Sequence, residues 1–115
     1  MIEEKPPKKK FVELPSLERF LSVQSREVYC EYREIVERLE HEGRLSMPFG
    51  EKLEKEKLFV IRVIRAGNVR VFYAYGKGDW VYGLTGYVKK SRTIPLTELR
   101  KARNVLKVIV AQGLA

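Results

Sequence analysis

The chain has 115 residues, 44% hydrophobic and 33% charged, with 23 Lys+Arg against 15 Asp+Glu and a formal net charge of +8. That length holds one hydrophobic core, since domains typically run about 100–150 residues, and no apolar run approaches the roughly 18 residues needed to span a bilayer, so a soluble single domain is expected, with no membrane partner. Cys30 and His41 are the only residues of their kinds, which excludes an internal disulfide and a His/Cys zinc site, and the chain is read as needing neither metal nor cofactor.

In chain order, Met1 to Lys10 combine Pro6-Pro7 with Lys8-Lys9-Lys10, a composition that predicts a flexible basic arm over residues 1–10, with the domain proper over 11–115. The arm lacks the apolar centre of a secretion signal, so a cytoplasmic protein is expected. Phe11 to Leu14 suit a short strand. Pro15-Ser16 then opens a helix carrying Leu17, Phe20 and Leu21, with Ser16 as its expected cap. Ser25 starts a longer helix in which Val28, Tyr32, Ile35, Val36 and Leu39 recur on one face, and Gly43 suits the left-handed residue past its end. His41 falls in the last turn of that helix, where a solvated histidine complements the helix dipole.

Residues 44 to 57 lose periodicity, contain Pro48 and Gly50 and alternate in charge from Glu51 onward, which predicts a loop. Three segments rich in β-branched and aromatic residues follow, Leu58 to Arg65, Val69 to Tyr75 and Trp80 to Val88, joined by short glycine-containing turns. They read as an antiparallel meander. After Thr93 and Pro95, Leu96, Leu99, Ala102, Leu106, Ile109 and Val110 line one face of a final helix. The expected fold is α+β, ordered β-α-α-β-β-β-α, with helices packed on one face of an antiparallel sheet.

The net charge divides unequally along this plan. Residues 1–57 hold 12 Lys+Arg against 13 Asp+Glu, and residues 58–115 hold 11 against only Asp79 and Glu98. A charge of +9 confined to one section is the footprint of a polyanion-binding surface. The cations on its strands and just after them are Arg62, Arg65, Arg70, Lys89, Lys90 and Arg92, interleaved with Phe72, Tyr73, Tyr75, Trp80, Tyr82 and Tyr87, a mixture suited to phosphates and unpaired bases of RNA. A tight turn placing Arg65 opposite Arg70 would separate Arg62 onto the other face with Tyr73. A one-residue change in loop length would instead bring Arg62 and Arg70 together.

The ordered set Leu58-Phe59-Val60-Ile61-Arg62, Asn68-Val69-Arg70-Val71-Phe72-Tyr73 and Leu84-Thr85-Gly86-Tyr87-Val88-Lys89-Lys90, followed by Pro95 and a helix, resembles the phage-derived HigB-like branch of the RelE/ParE toxin superfamily over about Phe11 to Val110. The resemblance implies a RelE-like fold and a metal-independent endoribonuclease that cleaves messenger RNA in the ribosome and is restrained by a helix-turn-helix antitoxin of the HigA kind. It assigns phosphate binding and transition-state stabilisation to Arg62 and Arg70, and a place near the catalytic cleft to Lys90. Arg65, Lys89 and Arg92 are expected to bind RNA. The chain departs from that branch's pattern in lacking a tyrosine in Arg92-Thr93-Ile94-Pro95-Leu96 and a catalytic histidine pair, which leaves proton transfer to Tyr73, Tyr87 or a lysine, or the chemistry to cations and ribosomal RNA. A ParE-like gyrase-binding toxin and a non-catalytic RNA-binding module are the alternatives.

Overall fold

Alternation in the second half of the chain and helical spacing on either side of it resolve into eight elements. The structure, a computed structural model, describes residues 6–115. In order they are β1 (Lys10–Glu13), α1 (Pro15–Ser22), α2 (Arg26–Glu42), β2 (Gly50–Lys52), β3 (Phe59–Val63), β4 (Val69–Tyr75), β5 (Trp80–Val88) and α3 (Leu96–Ala111). The strands form one sheet in the order β1-β5-β4-β3-β2, and the fold is mixed α+β, with three helices packed against a five-stranded sheet.

Three details differ from the expectation. The sheet is not wholly antiparallel, because β1 pairs in parallel with β5, Phe11 opposite Val81. This pairing joins segments about seventy residues apart, and local pattern carries no information about it. Within the expected loop, β2 pairs with β3, Glu51 opposite Val60. Finally, the helices occupy both faces of the sheet. Leu17, Leu21, Val28, Tyr32, Ile35, Val36 and Leu39 of α1 and α2 pack with Ile61, Val63, Val69, Val71 and Tyr73. Ala102 and Ile109 of α3 pack with Val60, Phe72, Ala74, Tyr82 and Leu84 on the opposite face. The central strands β3 and β4 are apolar at successive positions, as strands covered on both sides must be.

Local chemistry sets the helix ends. Ser25 caps α2 by accepting the Val28 N–H at 3.1 Å, and Gly43 closes it at φ 81°, the left-handed conformation that costs a Cβ-free residue least. At α1 the cap position belongs to Leu14, with Pro15 in the first turn. Ser16 instead donates its hydroxyl to the Leu84 carbonyl of β5. In α3, Val110 and Leu96 are exposed at 51% and 53%, while Val105 joins Leu99 and Leu106 against the sheet.

Of the arm expected over residues 1–10, residues 1–5 lie outside the described residues. Lys8 and Lys9 donate their backbone N–H groups to the Glu40 carbonyl and Lys10 begins β1, so the chain is docked from Lys8 onward.

Candidate nucleic-acid interface

The register of β3 on β4 decides which cations meet. Val63 lies opposite Val69 and Arg62 opposite Arg70, so the connecting loop spans residues 64–68 and the two arginines share a face. The Arg62 N–H donates to the Phe49 carbonyl, away from β4. The Arg62–Arg70 pair is therefore of the non-hydrogen-bonded kind, with Cα atoms about 4.5 Å apart and side chains at their closest. Like charges directly opposite cost stability.

Tyr87 completes the row. It lies opposite Arg70 on β5, but only because β5 is bulged. Phe72 pairs with Thr85 and Tyr73 with Gly83, leaving Leu84 as the extra residue. Simple alternation from Tyr82 would send Tyr87 to the α1–α2 face; the bulge returns it to the side of the arginines. Its ring stacks on Phe72, centroids 5.6 Å apart. The row Arg62–Arg70–Tyr87 thus lies near the end of the sheet face that α3 covers.

Arg70 is 5% exposed, and its Nη1 donates to the Val63 and Val69 carbonyls at 3.3 and 3.1 Å. Among the described residues its other N–H groups have no protein acceptor. Among the described residues no side-chain nitrogen or oxygen is both buried and unpartnered, so those groups open onto solvent. Half-buried Arg62 donates from Nη1 to the Pro48 carbonyl at 3.1 Å. Neither arginine makes an ion pair with a carboxylate among the described residues. Burial, and then Arg62 beside it, push the Arg70 guanidinium below its ordinary value, against smaller opposing effects from Tyr87 and Glu51. Burial also pushes the Tyr87 phenol up, opposed by Arg70 and reinforced by Glu98 and Glu51. Tyr87 therefore holds its proton through neutral pH, and its chemistry is that of a donor.

The other expected site residues divide. Lys89 follows β5 directly and is pinned to the β3–β4 loop, its N–H donating to the Asn68 carbonyl at 2.7 Å and its carbonyl accepting from Asn68 Nδ2 at 3.2 Å. Exposed Lys90 and Arg92 extend from there toward α3. These cations lie at the same end of the sheet as the arginine row. Arg65 does not join them. Its guanidinium is 3.0 Å from Glu34 on α2, and the buried Glu31 carboxylate accepts the backbone N–H groups of Ile64, Arg65 and Ala66, which turns this loop toward the α2 face. Tyr73 is also elsewhere. It is 1% exposed in the α1–α2 core, stacked against Phe59 at 5.4 Å, because Tyr73 and Arg70 are three residues apart and fall on opposite faces. Burial pushes its phenol up as well.

Two acidic residues join the site that sequence pattern did not single out. Glu51 lies on β2 opposite Val60, hence on the face of Arg62. Glu98 lies in the first turn of α3 and influences Tyr87. The segment Gly50–Lys52 is too short and too charged to announce itself as a strand; only its pairing with β3 gives Glu51 a face.

A family model described as phage-derived protein Gp49-like (DUF891) matches residues 19–107. The chain belongs to the Gp49-like family. None of the curated proteins matches it. The Gp49-like segment begins within α1 and ends within α3, so it contains the whole arginine row, the Lys89-Lys90 pair, Glu51 and Glu98, and leaves out β1. Among the described residues no helix is long and apolar enough to cross a membrane.

Proposed function

We propose that this protein is the toxin of a toxin–antitoxin pair, a RelE/HigB-type endoribonuclease that cleaves messenger RNA on the ribosome and is held in check by a helix-turn-helix antitoxin. Membership of the Gp49-like family, which is associated with toxins of that type, supports the class. The observation that carries the reading is the in-register pair Arg62–Arg70, with no carboxylate ion-pair partner among the described residues and with Tyr87 alongside.

Two adjacent guanidiniums repel each other in the free protein, and a phosphate between them relieves that repulsion with charge-assisted hydrogen bonds. Their donors are fixed by the sheet before substrate arrives. They can therefore stabilise charge that builds on a phosphate as a neighbouring 2′-hydroxyl attacks it. Lys89, Lys90 and Arg92 hold flanking phosphates, and Tyr87 supplies a proton to the leaving oxygen. This division of labour gives Tyr87 the acid role and leaves Tyr73 and Arg65 outside the reaction. The ribosome aligns the message in the cleft, and the compartment is the cytoplasm, where both are found.

Induction in bacteria without a partner gene tests the class directly. Methionine incorporation is expected to stop within minutes, and the Arg62→Ala chain is expected to permit growth. Continued translation with soluble protein present would reject the nuclease reading, and gyrase inhibition in its place would assign the fold to a ParE-like role.

A further inference from the structure

Resting on the nuclease reading, we infer that Glu51 is the catalytic base of this site, accepting the proton of the attacking 2′-hydroxyl. The placement comes from the sheet. Glu51 is opposite Val60 and therefore diagonal to Arg62 on one face, a separation of about 7–8 Å between backbone positions that long side chains readily cross. The row thus runs Glu51, Arg62, Arg70, Tyr87 over four adjacent strands. A carboxylate and a phenol flank two cations from opposite sides.

The neighbouring groups are poorly suited to the task. Arg62 and Arg70 carry no lone pair to accept a proton. Tyr87 retains its own proton, for the reason of burial given above. Glu98 lies in the first turn of α3, where its carboxylate is engaged in an ion pair with Lys101 at 3.7 Å. His41 is exposed at the end of α2, on the other side of the sheet. Glu51 is exposed and makes no ion pair among the described residues. Its carboxylate is nevertheless near enough to influence both Arg70 and Tyr87.

The step balances with groups the chain supplies. The 2′-oxygen forms a bond to the adjacent phosphorus as its proton passes to Glu51. The bond from phosphorus to the 5′-oxygen breaks, and that oxygen takes the Tyr87 proton. The products are a 2′,3′-cyclic phosphate and a 5′-hydroxyl end. Water then returns the Glu51 proton to Tyr87.

A carboxylate beside two arginines has one simpler role, to temper their charge, and the two roles predict opposite signs. Single-turnover cleavage of ribosome-bound messenger RNA should be measured for the parent, Glu51→Gln, Glu51→Asp and the loop control Glu54→Gln, with RNA affinity and thermal unfolding alongside. As the base, Glu51→Gln lowers the cleavage rate by about 10²-fold or more while RNA binds equally or more tightly, Glu51→Asp retains intermediate activity, and Glu54→Gln behaves as the parent. Undiminished cleavage by Glu51→Gln with tighter RNA binding would overturn the base assignment and leave the nuclease reading standing. A parent chain that does not cleave would overturn both.

Discussion

At Arg70 the needs of the fold and of the proposed chemistry oppose each other. The side chain is 5% exposed, faces Arg62 across the ladder and has no carboxylate partner among the described residues. Its hydrogen bonds to the Val63 and Val69 carbonyls are secondary, because those two residues form the next pair and already exchange backbone bonds across the strands. Replacing a buried charge by an apolar side chain of similar volume is often neutral or stabilising. Arg70→Met, which keeps the aliphatic stem, is therefore expected to raise the unfolding free energy by about 1 kcal/mol and to weaken RNA binding. Denaturant unfolding and RNA titration on the same variant check both signs. A drop in stability would show that the guanidinium supports the fold more than it strains it.

At the scale of elements, two contacts hold the site in place. The first is Glu31 of α2, whose carboxylate gathers three N–H groups of the β3–β4 loop and so fixes the register that pairs Arg62 with Arg70. Burial by itself raises the pKa of this group, but the N–H bonds from Ala66, Ile64 and Arg65 outweigh it and hold the carboxyl below the ordinary value of 4.5. A carboxyl lowered in the folded state stabilises the fold at pH above its unfolded value and loses that contribution as pH falls through the folded one. Stability of the parent should therefore decline as pH drops below about 4.5. Glu31→Gln should cost about 2–3 kcal/mol at neutral pH and show a shallower decline in acid. An unchanged acid limb in that variant would contradict the clamp. The second contact is α1 on β5. A Cβ at Gly86 would lie 2.6 Å from the Phe20 ring, and one at Gly83 would collide with Leu17 and Phe11, so the two glycines let the helix approach the strand. Gly86→Ala is expected to cost about 1–3 kcal/mol by overpacking, read as a lowered melting temperature.

These elements also mark what the sequence makes legible. The buried face of α2, its Ser25 cap and Gly43 stop, the bounds of β4 and β5 and the α+β class all follow from local period and turn chemistry. Features that depend on distant pairing do not. The parallel β1–β5 contact, the short β2 and the division of helices between two faces arise from tertiary placement. The site was partly legible for the same reason. Arg62, Arg70 and Tyr87 stand out by residue type, whereas their convergence depends on a five-residue loop clamped by Glu31 and on the extra residue Leu84. Glu51 lay hidden because a three-residue charged strand has no pattern of its own.

Across the whole molecule, the excess charge of the second half is carried on the strands, the loop after β5 and the exposed side of α3, while Glu31 and Glu34 engage Arg65 on the α2 side. Binding of single-stranded RNA should be driven mainly by counterion release, with the logarithm of affinity falling by about 0.7 per phosphate neutralised for each unit of log salt. Arg62→Ala should make that slope shallower, and a slope indifferent to the substitution would place the phosphate elsewhere. The central claim, that the in-register arginine pair is a ribonuclease site, is tested most directly by single-turnover cleavage of messenger RNA on purified ribosomes by the parent and by Arg62→Ala. Half-buried Arg62 can be removed with little effect on folding, so the variant should keep its melting temperature while its rate falls by about 10²-fold or more. Equal cleavage by parent and variant would contradict the account.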